Sequence, residues 1–353
     1  MKVPEYHKQL ETLHVGCLDP RAYFIPFASA QSAKKRNREE SEYFLSLCGE
    51  WDFRFFKSFE DVLEEPVDYA RKADEFDKID VPRSWQTYTD RGYDPPLYSN
   101  LEYPFPTDPP FVPDENPCGL YVKHFNLDKN FTERRLFLNF EGVDSCFYVW
   151  LNGSFVGYSE VSHCSSEFDI GDFAAEGDNV LCVLVVKWCP GTYLEDQDCF
   201  RLSGIFREVY ILARGEKRIE DIFIKSEVSD DFQSASLIID ARLNTQAGIA
   251  YRLVSPSGEI VCEGESANCG FSLDIPCVKL WNDEEPALYE LYLTVGDETV
   301  LFDTAVRRFE IKDGVCLLNG KKVKARGINR HDSHPILGHA VTMADMLQDI
   351  FQL

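Results

Sequence analysis

Hydrophobic and polar residues alternate along much of this chain, with the period of two that is typical of half-buried β-strands. The stretches 51–55 and 135–141 alternate in this way, while residues 180–188 are almost continuously apolar. A continuous apolar run of this length predicts a central strand that is buried on both faces. Because no convincing helix separates these strands, we expect residues 40–210 to form an antiparallel β-sandwich of the jelly-roll type.

An Asn-Gly pair marks the clearest turn of this region. Asn152 and Gly153 stand between the strand-like runs 146–151 and 155–158. Both residues tolerate the positive φ angles that a two-residue hairpin turn requires, so the sequence predicts a β-hairpin here. A different pattern fills residues 82–116, where eight prolines exclude regular ladder hydrogen bonds and predict a long ordered loop laid over a surface.

A second β block extends from residue 214 to residue 311. Short strand candidates alternate there with turn-rich pieces, at the spacing expected of an immunoglobulin-like β-sandwich of about 100 residues. The strand candidates are Ile222–Lys225, Ser236–Asp240, Tyr251–Val254, Glu290–Thr294 and Leu301–Thr304.

The last part of the chain changes character again. A second Asn-Gly pair, Asn319-Gly320, predicts another hairpin, and Thr342 with Asp345 forms the capping-box signature of a helix start. A strand followed by a capped amphipathic helix predicts the first unit of a larger α/β domain, whose remaining part we expect to be missing. The apolar stripe of this helix consists of Met343, Met346, Leu347, Ile350 and Phe351.

Length, charge and cysteine usage restrict the class of protein further. The length of 353 residues exceeds the chain length that a single hydrophobic core usually supports. We therefore expect three domains, at 1–213, 214–311 and 312–353. The 36 basic and 60 acidic residues give a net charge of −24, which disfavours nucleic acid and membrane surfaces as partners. The N-terminus lacks a signal-peptide core, and no apolar run approaches the roughly 20 residues of a membrane span. The twelve cysteines are scattered without C-x-x-C spacing, which favours a reduced, cytoplasmic protein.

Several polar groups are candidates for chemistry, whereas phosphate-binding glycine loops, H-E-x-x-H and G-x-S-x-G are absent. Asn100, within the proline-rich segment, is either a turn asparagine or a binding residue. The acids of residues 193–198 form either a solvated loop or a site for a hard cation. Arg201 and Arg207, which follow directly, are expected to neutralise this acidic cluster.

Two further groups lie later in the chain. His331 and His334 match no common zinc spacing, but as polar residues they suit the C-terminal end of a barrel strand, where barrel active sites are built. The aromatic and proline corner at residues 280–289 is expected to serve packing.

Eight motifs, in one order along most of the chain, make the sequence recognisable. They are Pro82–Gln86, Tyr103–Pro117, Phe140–Val143, Asn152–Tyr158, Ser166–Asp169, Gly191–Asp198, Ser203–Arg207 and Arg326–His331. Together they resemble the N-terminal third of the large β-galactosidases of glycoside hydrolase family 2. The resemblance implies a mainly β fold, with a jelly-roll sugar-binding domain, an immunoglobulin-like domain and the truncated start of a (β/α)₈ barrel.

The same resemblance implies an activity and a set of site residues. The activity is hydrolysis of terminal non-reducing β-D-galactose residues in β-galactosides such as lactose, by a retaining mechanism with two glutamates about 5–5.5 Å apart. In the family both glutamates and the main ligands of a catalytic Mg²⁺ come from later barrel strands, so we expect this chain to be inactive alone. Asn100 and His331 carry over as galactose-binding residues. Asp198 carries over as a ligand of sugar hydroxyls and of Na⁺, and only this partial Na⁺ site is expected here.

Three functions therefore stay open at the level of the sequence. The first is the N-terminal portion of a β-galactosidase that is a homo-oligomer at full length. The second is a galactoside-binding or complementing chain that associates with a separate barrel-containing subunit, and the exposed apolar stripe of residues 343–351 favours such a missing partner. The third is an adhesion-type β-sandwich protein, which the absence of a secretion signal disfavours.

Overall fold

The computed structural model describes residues 3–99, 103–195 and 198–353, and its architecture is mainly β, as the sequence predicts. Among these residues, no helix combines the length and apolarity that a membrane crossing needs. All twelve cysteines carry free thiols. The chain forms two compact units, of which the first comprises Met1–Pro20, Leu45–Ala213 and Arg330–Leu353, and the second comprises Arg21–Phe44 and Arg214–Asn329.

Most regular elements are short strands. The strands are β1 (His14–Val15), β2 (Phe44–Ser46), β3 (Gly49–Phe56), β4 (Asp77–Val81), β5 (Leu97–Tyr98), β6 (Cys118–Leu127), β7 (Arg135–Phe140), β8 (Val143–Asp144), β9 (Cys146–Leu151), β10 (Ser154–Ser159), β11 (Ser166–Asp169), β12 (Gly177–Val186), β13 (Phe200–Arg201), β14 (Gly204–Ile205), β15 (Val209–Arg214), β16 (Ile219–Val228), β17 (Ala235–Leu243), β18 (Ile249–Val254), β19 (Ile260–Ser266), β20 (Gly270–Ile275), β21 (Leu288–Val295), β22 (Glu298–Ala305), β23 (Phe309–Lys312), β24 (Val315–Leu318) and β25 (Lys321–Lys322). The α-helices are α1 (Ala30–Ala33), α2 (Pro66–Ala70), α3 (Lys129–Thr132) and α4 (Met343–Gln352). Single 3₁₀ turns occupy Tyr6–Lys8, Arg38–Glu40, Phe59–Asp61, Ala73–Glu75, Trp85–Thr87 and Pro190–Tyr193.

Two sheets form the sandwich of the first unit. Seven strands stand in the order β1-β10-β9-β12-β6-β3-β4, and four stand in the order β11-β7-β15-β2. Both sheets contribute to one hydrophobic core, with Trp51 and Val183 from the larger sheet and Leu138 and Ile211 from the smaller one. The predicted sandwich over residues 40–210 is therefore confirmed, while its assignment as a jelly roll stays a prediction.

The other face of the larger sheet is buried as well. Leu184 and Val186 of β12 belong to a second core that also contains Val3 and Tyr69, while Val183 belongs to the core between the sheets. β12 pairs with β9 along one edge and with β6 along the other. A strand enclosed on both faces and both edges has few solvent-facing positions, which explains why its sequence is apolar without alternation.

Both Asn-Gly pairs form the predicted hairpin turns. Asn152 and Gly153 have φ angles of 51° and 86° and join β9 to β10. Asn319 and Gly320 have φ angles of 50° and 73° and join β24 to β25, to which β23 adds a third strand. Positive φ at both central residues is the geometry that this dipeptide tolerates.

The described part of the proline-rich segment 82–116 contains one 3₁₀ turn and the two-residue strand β5. The ring of Tyr103 stacks on that of Tyr193 with centroids 5.1 Å apart. Phe105 meets Trp188 edge to face, also at 5.1 Å. For the described residues of this segment, the prediction of an ordered loop laid over a surface is confirmed, because its aromatic side chains anchor it.

The second unit is the predicted immunoglobulin-like sandwich. Its sheets have the strand orders β16-β17-β20 and β19-β18-β21-β22, with Leu237 and Leu291 fully buried in the core. All five predicted strands are observed, but β19 and β20 were not predicted because most of their side chains are exposed or half-buried. The corner at residues 280–289 serves packing, since Arg307 lies 4.6 Å from the ring centroid of Trp281.

The N-terminal segment Arg21–Phe44 belongs to this second unit, whereas the sequence analysis assigns it to the first domain. Phe27 forms an antiparallel bridge with Thr299, and Phe24 lies in the core of the unit. Arg36 donates two hydrogen bonds to Asp303, at 2.9 and 2.7 Å. These contacts join residues that are far apart in sequence, which is why local patterns do not reveal them.

The C-terminal segment contains the predicted helix but not the predicted strand before it. Oγ1 of Thr342 accepts a hydrogen bond from the Asp345 backbone N at 3.2 Å, and the Asp345 carboxylate accepts one from the Thr342 backbone N at 2.9 Å, which completes the capping box. Between β25 and α4, the described residues form only an isolated bridge, His334 with Gly338. His331 therefore does not stand at a strand end, because a parallel strand needs a neighbour for its hydrogen bonds and no strand pairs with this segment.

Candidate functional site

A cavity of about 260 Å³ opens in the first unit, close to the lower limit of about 300 Å³ for small-molecule sites. Two short strand pairs support its wall, β8 with β14 and β5 with β13. Four separate stretches of the chain supply its charged and histidine side chains. These side chains are Asp144, His163, Lys187, Glu195, Arg201, Arg207, Arg330, His331, Asp332 and His339.

The loop after β12 supplies most of these groups. Pro190, shortly after the end of β12 at Val186, opens a 3₁₀ turn, because proline is favoured at the start of a helical turn. Arg201 follows in β13, and its Nε donates to the Ser99 hydroxyl at 3.2 Å. The guanidinium of Arg201 also lies 4.6 Å from the ring centroid of Tyr103. The proline-rich segment thus fixes a cation at the wall of the cavity.

Two carboxyl groups at the cavity have different environments. Burial raises the pKa of Asp144 well above its usual value, and the nearby negative charge of Glu195 raises it further, while Lys187 and Arg201 oppose this rise. Glu195 accepts two hydrogen bonds from Ser162, one from the backbone N and one from the hydroxyl, both at 2.7 Å. Asp144 is thereby biased towards its protonated, hydrogen-bond-donating form, whereas each oxygen of Glu195 is engaged by the neighbouring loop.

Lys187 is a buried cation at the wall of the cavity. Its ammonium group contacts the carboxylate of Asp94, which also accepts hydrogen bonds from Nε1 of Trp85 and, at 3.3 Å, from Nε2 of Gln86. A buried ion pair with further hydrogen bonds is held firmly, because loss of one partner leaves the other charge uncompensated. Lys187 therefore belongs to the fixed frame of the cavity.

Two histidines flank the ring of Phe206 beside the cavity. The ring centroids lie 5.0 Å away for His163 and 5.9 Å away for His339. Burial lowers the pKa of His163, and the positive charge of Arg207 lowers it further. Burial also lowers the pKa of His339 to about 4, and within the described residues its Nδ1 has no hydrogen-bond partner. Both pKa shifts favour neutral imidazoles at pH 7.

The three site residues predicted from the resemblance have different positions. His331 is exposed and lines the cavity. Asp198 is exposed and accepts a hydrogen bond from the Tyr98 hydroxyl, but it does not line the cavity. Asn100 lies outside the described residues. Their roles in sugar binding stay predictions.

Residues close to His331 have structural roles. Arg330 donates from Nε to the Asp349 carboxylate of α4 at 2.8 Å and also pairs with Asp332. Nδ1 of His334 accepts hydrogen bonds from the backbone N of Ile336 and of Leu337, both at 3.1 Å. His334 therefore stabilises a turn.

Sequence reasoning missed four of the charged and histidine residues of the cavity, namely Asp144, His163, Lys187 and His339. The signal for Lys187 was present, since it is the charged residue in the apolar run 180–188. The other three had no such signal, because they meet the rest of the cavity only through contacts between segments that are far apart in sequence.

The part of the chain that the structure describes does not assemble a metal site on its own. Nowhere in the described ranges do three or more His, Cys, Asp or Glu side chains converge in a way that could hold a metal ion. Asp198 offers one carboxylate, whereas hard cations such as Mg²⁺ and Ca²⁺ take about six or more oxygen ligands. The described residues therefore do not fit a Mg²⁺ site, and the partial Na⁺ site expected at Asp198 stays a prediction.

Comparison with protein families accounts for most of the chain. The model described as "Glycosyl hydrolases family 2, sugar binding domain" matches residues 44–215, and the model described as "Glycosyl hydrolases family 2" matches residues 217–311. The model described as "Glycosyl hydrolases family 2, TIM barrel domain" matches residues 309–353. The chain belongs to glycosyl hydrolase family 2.

Curated relatives within family 2 match over nearly the whole chain. The beta-galactosidase of Actinobacillus pleuropneumoniae is 42% identical over 351 residues, which are 99% of this chain and 34% of that protein. The beta-galactosidase of Staphylococcus xylosus is 39% identical over 348 residues, which are 98% of this chain and 34% of that protein. The chain thus spans about one third of the length of these relatives.

Solved structures support the family 2 fold. A beta-glucuronidase from Ruminococcus gnavus and one from an uncultured Clostridium sp. each superpose with a TM-score of 0.71 and 20% identity. In both cases the match covers 88% of this chain and 53% of the other chain. At this level of identity the likeness concerns the fold alone.

The half-buried His339 should make this family 2 chain less stable in mild acid. Its pKa falls from 6.5 in the unfolded chain to about 4 in the folded one, so the unfolded state binds more protons between these values. The contribution of His339 is complete above about pH 6.5 and decreases by up to about 1.4 kcal/mol for each pH unit towards pH 4. Urea unfolding at pH 7 and pH 5 measures this loss, and His339→Gln should lose less stability between the two pH values. Equal losses in both proteins would contradict the prediction.

Proposed function

We propose that this chain is the sugar-binding end of a retaining β-galactosidase and that the cavity lined by His331 receives the galactosyl unit. The proposed reaction is hydrolysis of terminal non-reducing β-D-galactose residues in β-galactosides such as lactose. The observation that carries the proposal is the alignment of 99% of the chain, at 42% identity, with a beta-galactosidase. The proposal includes a cytoplasmic location and a homo-oligomeric complete enzyme.

The chemistry of the cavity suits a neutral sugar. A pyranose has an apolar C–H face and an edge of hydroxyl groups, and Phe200, which is 48% exposed at the cavity, offers an aromatic ring to such a face. Asp144 in its protonated form and Arg201 offer donors, while the exposed imidazole of His331 offers a donor or an acceptor to a hydroxyl. A hydrogen bond from His331 that tightens as charge develops on the ring would favour the transition state over the bound substrate.

Asn100 and Asp198 complete the proposed sugar contacts. In this proposal Asn100 reaches the galactose from the proline-rich segment, and Asp198 contacts hydroxyl groups and contributes one ligand to Na⁺. A bound Na⁺ would supply a hard positive charge that orients hydroxyl oxygens. The hydrogen bond from Tyr98 already orients the Asp198 carboxylate in the absence of a sugar.

The carboxyl pair that cleaves the glycosidic bond is proposed to come from further barrel strands. The helix α4 supports this proposal, since Met343 is 71% and Phe351 84% exposed on its apolar stripe. Exposed apolar residues at helical spacing indicate a surface that another element covers. Supply of that element by a separate barrel-containing chain is the second candidate function, a galactoside-binding, complementing subunit.

The experiment joins this chain to the remaining part of the Actinobacillus pleuropneumoniae relative and compares nitrophenyl β-D-galactoside, β-D-glucoside and β-D-glucuronide as substrates. We expect kcat/KM for the galactoside to exceed the other two by about 100-fold or more, because a site that hydrogen-bonds a particular hydroxyl rejects its epimers. Providing the remaining part as a separate chain tests the complementing alternative. A preference for the glucoside or the glucuronide would contradict the proposal.

A further inference from the structure

A second cavity, of about 310 Å³, lies in the first unit at the edge strand β4 of the larger sheet. None of its lining residues lines the cavity that contains His331. It opens between β3 and the loop around Gly92, and three aromatic side chains, Phe55, Phe76 and Tyr93, contribute to its wall. Its size is at the lower end of the range of about 300–1,000 Å³ for small-molecule sites, which suits one small ring.

The aromatic wall is held in a fixed arrangement. The ring of Tyr93 lies 5.5 Å from that of Phe55, with an interplanar angle of 37°, and meets the buried Phe53 at 5.2 Å and 70°. The Tyr93 hydroxyl donates to the Asp77 carboxylate at 2.6 Å. Phe55 and Tyr93 are half-buried, so part of each ring is accessible from the cavity. The result is an apolar surface that needs no rearrangement to accept a ligand.

Charged groups stand beside this wall. Arg54, Glu75, Asp77 and Arg91 line the same cavity. The Arg54 guanidinium lies 5.0 Å from the ring centroid of Tyr69, 5.2 Å from that of Phe56 and 5.7 Å from that of Phe76, and these three rings restrict its orientation. Within the described residues, the side chains of Arg54 and Glu75 make no hydrogen bond or ion pair to protein. The cavity therefore combines a prearranged aromatic wall with two groups that can hydrogen-bond a ligand, the guanidinium of Arg54 and the carboxylate of Glu75.

We propose that this second cavity binds a pyranose unit of a neutral carbohydrate, in addition to the cavity that contains His331. The C–H face of the sugar lies on Phe55 and Tyr93, and neighbouring hydroxyl groups bridge Arg54 and Glu75. An anionic ligand would be repelled by the carboxylates of Glu75 and Asp77 and by the net charge of −24 on the chain. A purely apolar ligand would strip water from the two available charged groups without replacing its hydrogen bonds. A ligand with an apolar face and a hydroxyl edge satisfies both the aromatic wall and the charged groups beside it.

The test follows the backbone amide resonance of Gly92 by NMR while methyl β-D-galactoside or methyl β-D-glucoside is added. We expect a saturable shift with a dissociation constant on the order of millimolar. Phe55→Ala removes one of the two proposed stacking rings and should weaken binding about tenfold, and Glu75→Gln should weaken it severalfold. The matched control is Phe223→Ala, which removes an exposed phenylalanine of the second unit and should leave the affinity unchanged.

Two outcomes would overturn the proposal. One is a Gly92 resonance that does not respond to either sugar, and the other is a response to phenol or to inorganic phosphate that exceeds the response to both sugars. If Phe55→Ala does not fold, Glu75→Gln still tests the proposal, because Glu75 is exposed and its replacement leaves the core intact. His331→Ala separates the two sites, because it should alter sugar cleavage in the assembled enzyme and leave the Gly92 response intact. Failure of the proposed sugar binding in the second cavity is therefore distinguishable from failure of the proposed hydrolysis.

Discussion

The 353-residue chain alone should release no more nitrophenol from nitrophenyl β-D-galactoside than a buffer blank releases. Retaining hydrolysis needs an ionised carboxylate as nucleophile and a protonated carboxyl as acid, about 5–5.5 Å apart and both open to the sugar. In the cavity, each oxygen of Glu195 accepts a hydrogen bond from Ser162, and Asp332 pairs with Arg330. Asp144 has the raised pKa of an acid, and we expect the nucleophile to come from a later barrel strand, as the family resemblance implies.

The same chain joined to a family 2 barrel is the positive control. Its rate should exceed the blank by a factor of about 10⁶ or more, the lower end of typical enzymatic accelerations. The specific alternative is that Asp144 and Glu195 form a catalytic pair of their own. Turnover by the purified chain that disappears in Glu195→Gln would establish this alternative and contradict the expectation of inactivity.

Replacing Arg214 by methionine should lower the free energy of unfolding of the second unit by about 3–5 kcal/mol. The side chains of Arg214 and Glu298 are only 3% and 2% exposed, and Nη2 of Arg214 donates to Oε2 of Glu298 at 2.8 Å. The backbone N of Gly215 donates to the other oxygen of Glu298 at 2.6 Å. Without the guanidinium, Glu298 is left as a buried charge that lacks its cation, which explains the large expected loss. Urea unfolding of the two proteins at pH 7 measures the difference.

Arg36→Met is the matched control for Arg214→Met. Arg36 is also an arginine of the second unit with carboxylate partners, Asp303 and Glu290, but its side chain is 43% exposed. Exposed ion pairs contribute about 0–1 kcal/mol, so this variant should lose far less stability. The double variant Arg214→Met with Glu298→Leu should recover much of the loss, since it leaves no buried charge. Equal losses for Arg214→Met and Arg36→Met would contradict the explanation by burial.

Local sequence patterns predicted those parts of the fold that depend on neighbouring residues, such as strand burial and tight turns. The apolar run of β12 indicated a strand enclosed on both faces, and the two Asn-Gly pairs indicated turns with positive φ. The strands β19 and β20 escaped prediction because their exposed side chains carry little periodic signal. The place of the segment Arg21–Phe44 in the second unit depends on long-range contacts such as Phe27 with Thr299, which no local window contains.

The candidate site was less accessible to sequence reasoning than the fold. His331 was named through the family resemblance, and the structure locates it in a cavity with Asp144 and Glu195. The pairing of β8 with β14 brings Asp144 near the loop that carries Glu195, and spacing along the chain does not encode such a contact. The strand expected before His331 is not observed, because a barrel strand depends on neighbouring strands for its hydrogen bonds.

The cavity lined by His331 is proposed to receive the galactosyl unit. A crystal structure of the chain joined to the family 2 barrel, grown with galactose, would locate the bound sugar. We predict galactose in this cavity, with one hydroxyl oxygen within about 3.2 Å of an imidazole nitrogen of His331. Galactose bound in the assembled enzyme at a site without contact to His331 or to any other residue of this cavity would contradict it.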